Sequence, residues 1–182
     1  MANVDSVEKL TYATEATSVL VATTSSARRS GMAMADSGVA GYYAGGYTTT
    51  RVSTVDKFAM PGDTVSTLGT GLSLVANNGA GCANSAVAGY YSGGSNLNTS
   101  INKFAFPSDT RTSLGVGLSV GQYSGAMADS GAGGYWSGTA LSPQTQIDKL
   151  TFADESTAAM SATLDNARAA VAGMANQGTL AP

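Results

Sequence analysis

Hydrophobic and polar residues alternate in one short segment that recurs along the chain. In "VDKFAM", Val55 and Lys57 fall on one side, whereas Asp56 and Phe58 fall on the other. Successive side chains of a strand point to opposite faces, so this alternation with branched and aromatic residues predicts a β-strand. Related segments with the same pattern begin at Val7, Ile101 and Ile147.

Three further strands complete the predicted pattern, although the last of them follows only the first three of these segments. "PGDT" at 61–64 and "PSDT" at 107–110 are turn sequences, because proline fixes φ and the acid can bind its own backbone. "GMAMA" predicts a third strand and "GYYAGG" a fourth, joined by a tight turn at "DSG". The second strand is marked by apolar residues at the same spacing, namely Leu20, Leu68, Leu114 and Met160.

The pattern repeats along the whole chain. Its lysines lie 48, 46 and 46 positions apart, and such a period indicates a stacked or radial repeat protein. Read from Ser53 to Gly94, one period holds four antiparallel strands, as in one blade of a β-propeller. We therefore predict a single all-β repeat domain over residues 1–182, with about 14 to 16 strands. Its four units of 46–48 residues, the last incomplete, are centred on Lys9, Lys57, Lys103 and Lys149.

The C-terminal segment 164–177, "LDNARAAVAGMANQ", is rich enough in alanine to leave a helix as an alternative. We prefer a strand there because Arg168, Ala172 and Met174 fall in register with the earlier copies.

Charge argues against nucleic-acid and membrane partners. The chain of 182 residues has nine basic and twelve acidic side chains, and Arg28-Arg29 is the only adjacent basic pair. Nucleic-acid binding requires clustered lysine and arginine, so we expect no such partner. No run approaches the roughly 20 apolar residues of a membrane helix, and the N-terminus lacks the apolar core of a secretory signal. We expect synthesis in the cytoplasm and no membrane insertion.

The sequence offers little for catalysis. It has no histidine, which removes Ser-His and Cys-His nucleophiles and histidine metal sites. Cys82 takes the place of Met34 and Met127 in other copies, which predicts a buried apolar residue. The paired glycines follow aromatics at the repeat period, which favours packing over phosphate binding. We predict no catalytic residue, no metal and no cofactor.

One acid recurs in every turn, as Glu15, Asp63, Asp109 and Glu155. Paired carboxylates such as Asp154-Glu155 could in principle serve acid–base chemistry or bind Ca²⁺. A catalytic group has no reason to appear four times, however, so we expect these acids to cap their own turns.

Repeated aromatic pairs are the candidate binding residues. Tyr43, Tyr91 and Trp136 hold equivalent positions as the second member of each pair. Neighbouring residues of a strand point to opposite faces, so this member is free either to stack on a sugar ring or to pack between units. We expect all three to be buried.

The aromatic-then-glycine element resembles the kelch repeat. The longer pattern "GYxxGG…STVDKxxFxSDTxxxxGxxLSxxR" resembles a divergent kelch-like repeat of structural proteins from cyanophages and related marine phages, over about residues 4–176. The arginine that ends this pattern is present as Arg28 and Arg168, but Ala76 and Gln122 replace it in the middle copies. The third glycine pair is reduced to Gly138.

This resemblance implies a non-enzymatic virion component, such as a capsid decoration, fibre or tail protein, that acts through protein–protein contacts. A glycan-binding module that uses the repeated aromatics is the alternative, and a propeller-fold enzyme ranks third. The expected partners are further copies of the chain, other virion proteins or a host-surface glycan.

The copies do not complete a ring of blades. Three strand elements of the period occur four times, but the "GYxxGG" element occurs three times. An unpaired strand edge exposes N–H and C=O groups, which can form backbone hydrogen bonds with a strand of another chain. We therefore expect self-association or docking on a larger assembly, with the missing strand supplied by another chain or by the termini.

Overall fold

The computed structural model describes residues 2–11, 13–36, 38–95, 97–123, 126–129, 131–138 and 144–168. These residues contain fourteen β-strands and no helix, and every strand pairing is antiparallel. The all-β prediction is therefore confirmed.

The strands are short and follow one another at the period of the sequence. Their bounds are β1 Glu8–Thr11, β2 Ala16–Val19, β3 Met32–Asp36, β4 Ala40–Ala44, β5 Val55–Ala59, β6 Thr64–Thr67, β7 Gly79–Asn84, β8 Ala88–Gly93, β9 Ser100–Ala105, β10 Thr110–Gly117, β11 Ala126–Asp129, β12 Gly133–Ser137, β13 Ile147–Thr151 and β14 Thr157–Ala159.

The strands form one hairpin and three four-stranded sheets. β1 and β2 form the hairpin, and β3–β6, β7–β10 and β11–β14 form the first, second and third sheets, each in chain order. The four strands predicted over residues 53–94 are thus divided between two sheets, and the sheets begin two strands later than we predicted. The reason is the loop from 45 to 54, where Gly45 donates to the carbonyl of Thr54 and returns the chain so that β4 pairs with β5.

The first strand of each sheet packs against the first strand of the next. β3 contacts β7, and β7 contacts β11. Two apolar clusters lie along these junctions, the first including Met34, Tyr42 and Phe106. Cys82 belongs to the second cluster, with Trp136, and its predicted burial is confirmed.

Glycines of the repeated pairs allow close approach of neighbouring backbones, as predicted. Gly94 has a φ of +100°, and a Cβ there would lie 2.8 Å from the carbonyl oxygen of Asn77. Only glycine accepts both conditions without strain.

Three of the four markers predicted for the second strand lie just beyond it. Leu20, Leu68 and Met160 directly follow β2, β6 and β14, and Leu114 lies within β10. At the C-terminal end, Arg168 bridges to Gln144 as Arg28 bridges to Val4. Ala172 and Met174 lie outside the described residues.

Candidate functional site between the sheets

Two side chains of the first sheet bind the carboxylate of Asp109 in the second sheet. Asp109 ends the turn between β9 and β10, whereas Tyr42 and Lys57 stand opposite each other in β4 and β5. Lys57 Nζ lies 2.7 Å from Asp109 Oδ2, and the Tyr42 hydroxyl donates to Asp109 Oδ1 at 2.8 Å. One sheet thus binds both oxygens of an acid that the next sheet supplies.

Apolar packing reinforces this polar contact. The ring of Tyr42 stacks on that of Phe106, with centroids 5.3 Å apart and an interplanar angle of 23°. Lys57 Nζ lies 5.5 Å from the centroid of Tyr42. Aromatic pairs contribute about 0.5–1.5 kcal/mol beyond their buried area, so the tyrosine joins the sheets through its ring as well as its hydroxyl.

The same arrangement recurs between the second and third sheets. The Tyr90 hydroxyl donates to Glu155 Oε1 at 3.0 Å, and Lys103 forms an ion pair with the same oxygen. Tyr90 stacks on Phe152, with centroids 5.4 Å apart. We name this arrangement the Lys–Tyr–acid contact.

The hairpin joins the first sheet through the lysine of this contact. Lys9 Nζ lies 2.6 Å from Asp63 Oδ2, and the two side chains keep 41% and 31% of their surface in solvent. In the described residues the hairpin contributes no tyrosine here, so this contact consists of the more exposed ion pair alone.

The acids of this contact do not cap their own turns, and our prediction for them is wrong for three of the four. Asp63, Asp109 and Glu155 instead bind a lysine of the preceding sheet or hairpin. In the third sheet the capping is done by Asp154, which accepts hydrogen bonds from Ser156 N and Oγ. All four acids share a left-handed backbone, with φ of 54° at Glu15, 51° at Asp63, 56° at Asp109 and 56° at Glu155.

The tyrosine hydroxyls act as donors across the whole ordinary pH range. Burial raises the pKa of Tyr42 and Tyr90 well above the usual value, and the carboxylate that each hydroxyl binds adds to the effect. A hydroxyl that stays protonated keeps its hydrogen bond to the acid.

A second contact is buried between the hairpin and the first sheet. Arg28 Nη2 lies 2.8 Å from Asp56 Oδ2, and neither side chain is exposed. Ser25 donates to Asp56 Oδ2 through its backbone N–H and its hydroxyl, each at 3.0 Å, and Thr67 Oγ1 donates to Oδ1 at 2.8 Å.

These partners keep Asp56 ionised. Burial alone would raise its pKa, but the hydrogen bonds from Ser25 and Thr67 and the charge of Arg28 outweigh burial, so the pKa lies below its ordinary value. A buried carboxylate is stable when hydrogen bonds or an opposite charge replace its hydration, and Asp56 has both.

The later junctions keep the hydrogen bonds but not the ion pair. Ser73 N donates to Asn102 Oδ1 at 2.8 Å, and Ser119 Oγ donates to Asp148 Oδ1 at 2.6 Å. Ala76 and Gln122 hold the place of Arg28 at these junctions. The three junctions therefore differ in charge although their backbone contacts repeat.

The predicted aromatic residues lie inside the junctions to different degrees. Tyr91 and Trp136 are buried, at 1% and 0% exposure, as expected. Tyr43 is partly buried, with the Arg28 guanidinium 4.8 Å above its ring and its hydroxyl accepting the Gly31 N–H. Two of the three thus lack a free ring face for a sugar.

Sequence reasoning missed the first member of each aromatic pair and the repeated lysine. Tyr42 and Tyr90 form the contacts, whereas our candidate binding residues were their neighbours Tyr43 and Tyr91. The signal was present, since a lysine precedes every turn acid at the same spacing.

No group of three or more metal-ligating side chains occurs among the described residues. That same part of the chain also contains no helix of the length and apolarity needed to cross a bilayer.

No protein-family model and no curated protein matches the chain. A solved structure titled "Structure of YjhT" matches with a TM-score of 0.67 and 11% sequence identity, over 81% of this chain and 56% of that chain. The chain thus spans a little over half the length of this neighbour. At that identity the likeness shows the fold alone.

Proposed function

We propose that this chain is a non-enzymatic structural protein, built of kelch-like, propeller-type blades, that acts through protein–protein contacts in a phage virion. The observation that carries the proposal is the repeated Lys–Tyr–acid contact. The motif residues Lys57, Asp109 and Tyr42 bind one another across a sheet junction rather than a free ligand.

A structural role agrees with how the polar groups are used. The acids that resembled catalytic candidates, such as Asp109 and Glu155, each bind a lysine and a tyrosine. A carboxylate held on both sides by the fold is poorly suited to accept a substrate proton, because it must first break those bonds.

The glycan-binding alternative receives less support. A stacking platform needs an exposed ring face, and Tyr91 and Trp136 have almost none. The burial of these two rings therefore favours a structural role over sugar stacking.

Proteomic analysis of purified particles tests the virion role. Particles purified on a density gradient from cells that carry the gene should contain the chain at a fixed ratio to the major capsid protein. An abundant host cytoplasmic protein serves as the contamination control. Recovery of the chain only in the soluble lysate would refute the virion role.

A further inference from the structure

Half of a Lys–Tyr–acid contact lies on the third sheet. Tyr135 stands opposite Lys149 in β12 and β13, and Lys149 Nζ lies 5.8 Å from the Tyr135 ring centroid. This is the arrangement of Tyr42 with Lys57. Among the described residues, however, no acid forms an ion pair with Lys149.

The complementary half lies on the hairpin. Glu15 holds the turn position and the left-handed backbone of the acids at the other junctions. It is exposed and forms no ion pair within the part of the chain that the structure describes. The two halves thus carry opposite charges at opposite ends of the strand order.

A groove lies beside the hairpin, between it and the first sheet. It has a volume of about 880 Å³, and its lining includes Leu10 of β1, Met34 of β3 and Tyr42 of β4. At the next junctions the first strand of each sheet occupies the equivalent place, since β7 packs on β3 and β11 packs on β7. Two exposed apolar side chains lie on the hairpin, Leu10 at 51% and Val19 at 67%.

The sequence after Arg168 resembles the sequence that follows Arg28. Residues 169–176 follow Arg168 as residues 29–36 follow Arg28, and Met174 takes the place of Met34. Arg28 pairs with Asp56, and the residue equivalent to Asp56 in the hairpin is Glu8. Glu8 and Arg168 are both exposed, so a second pair of opposite charges is available at the same two ends.

We propose that a second copy of this chain docks head to tail on the hairpin. Lys149 and Tyr135 of one copy bind Glu15 of the next, and Arg168 of the first pairs with Glu8 of the second. The third sheet of the first copy then lies against the hairpin of the second and the groove beside it. A second copy of the chain is thus the partner in the structural role proposed above. The biological setting of this contact, a phage virion, rests on that proposed function.

Two charge reversals test the contact in the full-length chain. Glu15→Lys and Lys149→Glu each place like charges at the junction, so each variant alone should self-associate at least about tenfold more weakly than the wild type. An equimolar mixture of the two should recover association, because each junction then regains opposite charges. Arg51→Glu, an exposed change on a loop of the first sheet, is the matched control and should behave as the wild type.

Sedimentation velocity from about 1 to about 100 μM gives the readout, with circular dichroism to confirm that each variant is folded. A wild type that stays monomeric over this range overturns the proposal. So do single variants that associate as well as the wild type, or a mixture that fails to recover, because rescue requires contact between two chains. The chain would still be found in particles if it were a monomeric virion protein, so the two proposals fail separately.

Discussion

Two adjacent tyrosines of β8 show how position decides what a hydroxyl contributes. Tyr90 donates to Glu155, whereas the buried hydroxyl of Tyr91 has no partner among the described residues. The rings themselves are packed in both cases, Tyr90 on Phe152 and Tyr91 edge-on to Phe104 at 5.8 Å.

Removing these hydroxyls should have opposite consequences for stability. Tyr90→Phe should lower the free energy of unfolding by about 1–2 kcal/mol, because it leaves part of Glu155 unpaired. Tyr91→Phe should be neutral or stabilising by up to about 1 kcal/mol, because it removes a desolvated group without a partner. Urea unfolding of the two variants checks this, and equal losses would contradict it.

Asp56 should make the protein sensitive to acid. Its pKa is lower in the folded chain than in the unfolded chain, so the unfolded chain binds more protons as the pH falls. Its stabilising contribution is therefore complete above about pH 4 and is lost below that, as the pH approaches the folded-state pKa.

Unfolding midpoints measured from pH 7 down to about pH 3 give the test. Asp56→Asn should lose less stability over the acidic part of this range than the wild type, although it is less stable at pH 7. Parallel curves would mean that other carboxylates govern acid unfolding.

At the scale of elements, each sheet depends on backbone positions where a side chain has no room. Gly94 combines a positive φ with a close carbonyl of the Asn77 backbone. Gly69 lies in the loop after β6, where a Cβ would meet nothing within 4 Å.

This contrast yields a matched pair of substitutions. Gly94→Ala should lower the free energy of unfolding by about 1–3 kcal/mol. It places a side chain on a residue with positive φ and brings its Cβ against the backbone carbonyl of Asn77. Gly69→Ala should change stability by less than about 0.5 kcal/mol. Thermal unfolding distinguishes them, and a Gly94 variant as stable as the Gly69 variant would show that the backbone can shift at this junction.

The strands themselves could be predicted from the sequence, because alternation and turn residues are local signals. The division into sheets could not, since the loop after Ala44 that returns to the same sheet and the loop after Leu68 that crosses to the next are both rich in glycine, serine and threonine. The repeated lysine and acid could be seen in the sequence but their pairing could not, because Lys57 and Asp109 are 52 positions apart and turn chemistry explains an acid equally well.

At the scale of the whole molecule, stability should vary along the chain. The contacts that join sheets run from each sheet to the next, as in other repeat proteins. The hairpin is attached by Lys9 to Asp63 and by the buried Arg28–Asp56 pair.

Arg28→Ala should therefore loosen the hairpin without unfolding the sheets beyond it. It leaves a buried carboxylate unpaired, a loss that typically costs about 3–5 kcal/mol, and local opening of repeats can absorb it. Hydrogen exchange should accelerate in β1 and β2 and stay unchanged in β8 and β9.

Lys103→Met is the control at the opposite junction. It should accelerate exchange in β13 and β14 and leave the hairpin protected. Uniform acceleration by either variant would indicate a single cooperative unit.

The different charges buried at successive junctions also affect which sheets pack together during folding. Sheets with nearly the same strands can assemble in the wrong order during folding, a known hazard of repeat proteins. If the strand that carries Asn102 docked where Asp56 belongs, Arg28 would be buried without a counter-charge. If Asp56 docked beside Ala76, the Asp56 carboxylate would instead be buried without a counter-charge. Both errors cost more than the correct pairing, so the buried Arg28–Asp56 pair disfavours these two exchanges.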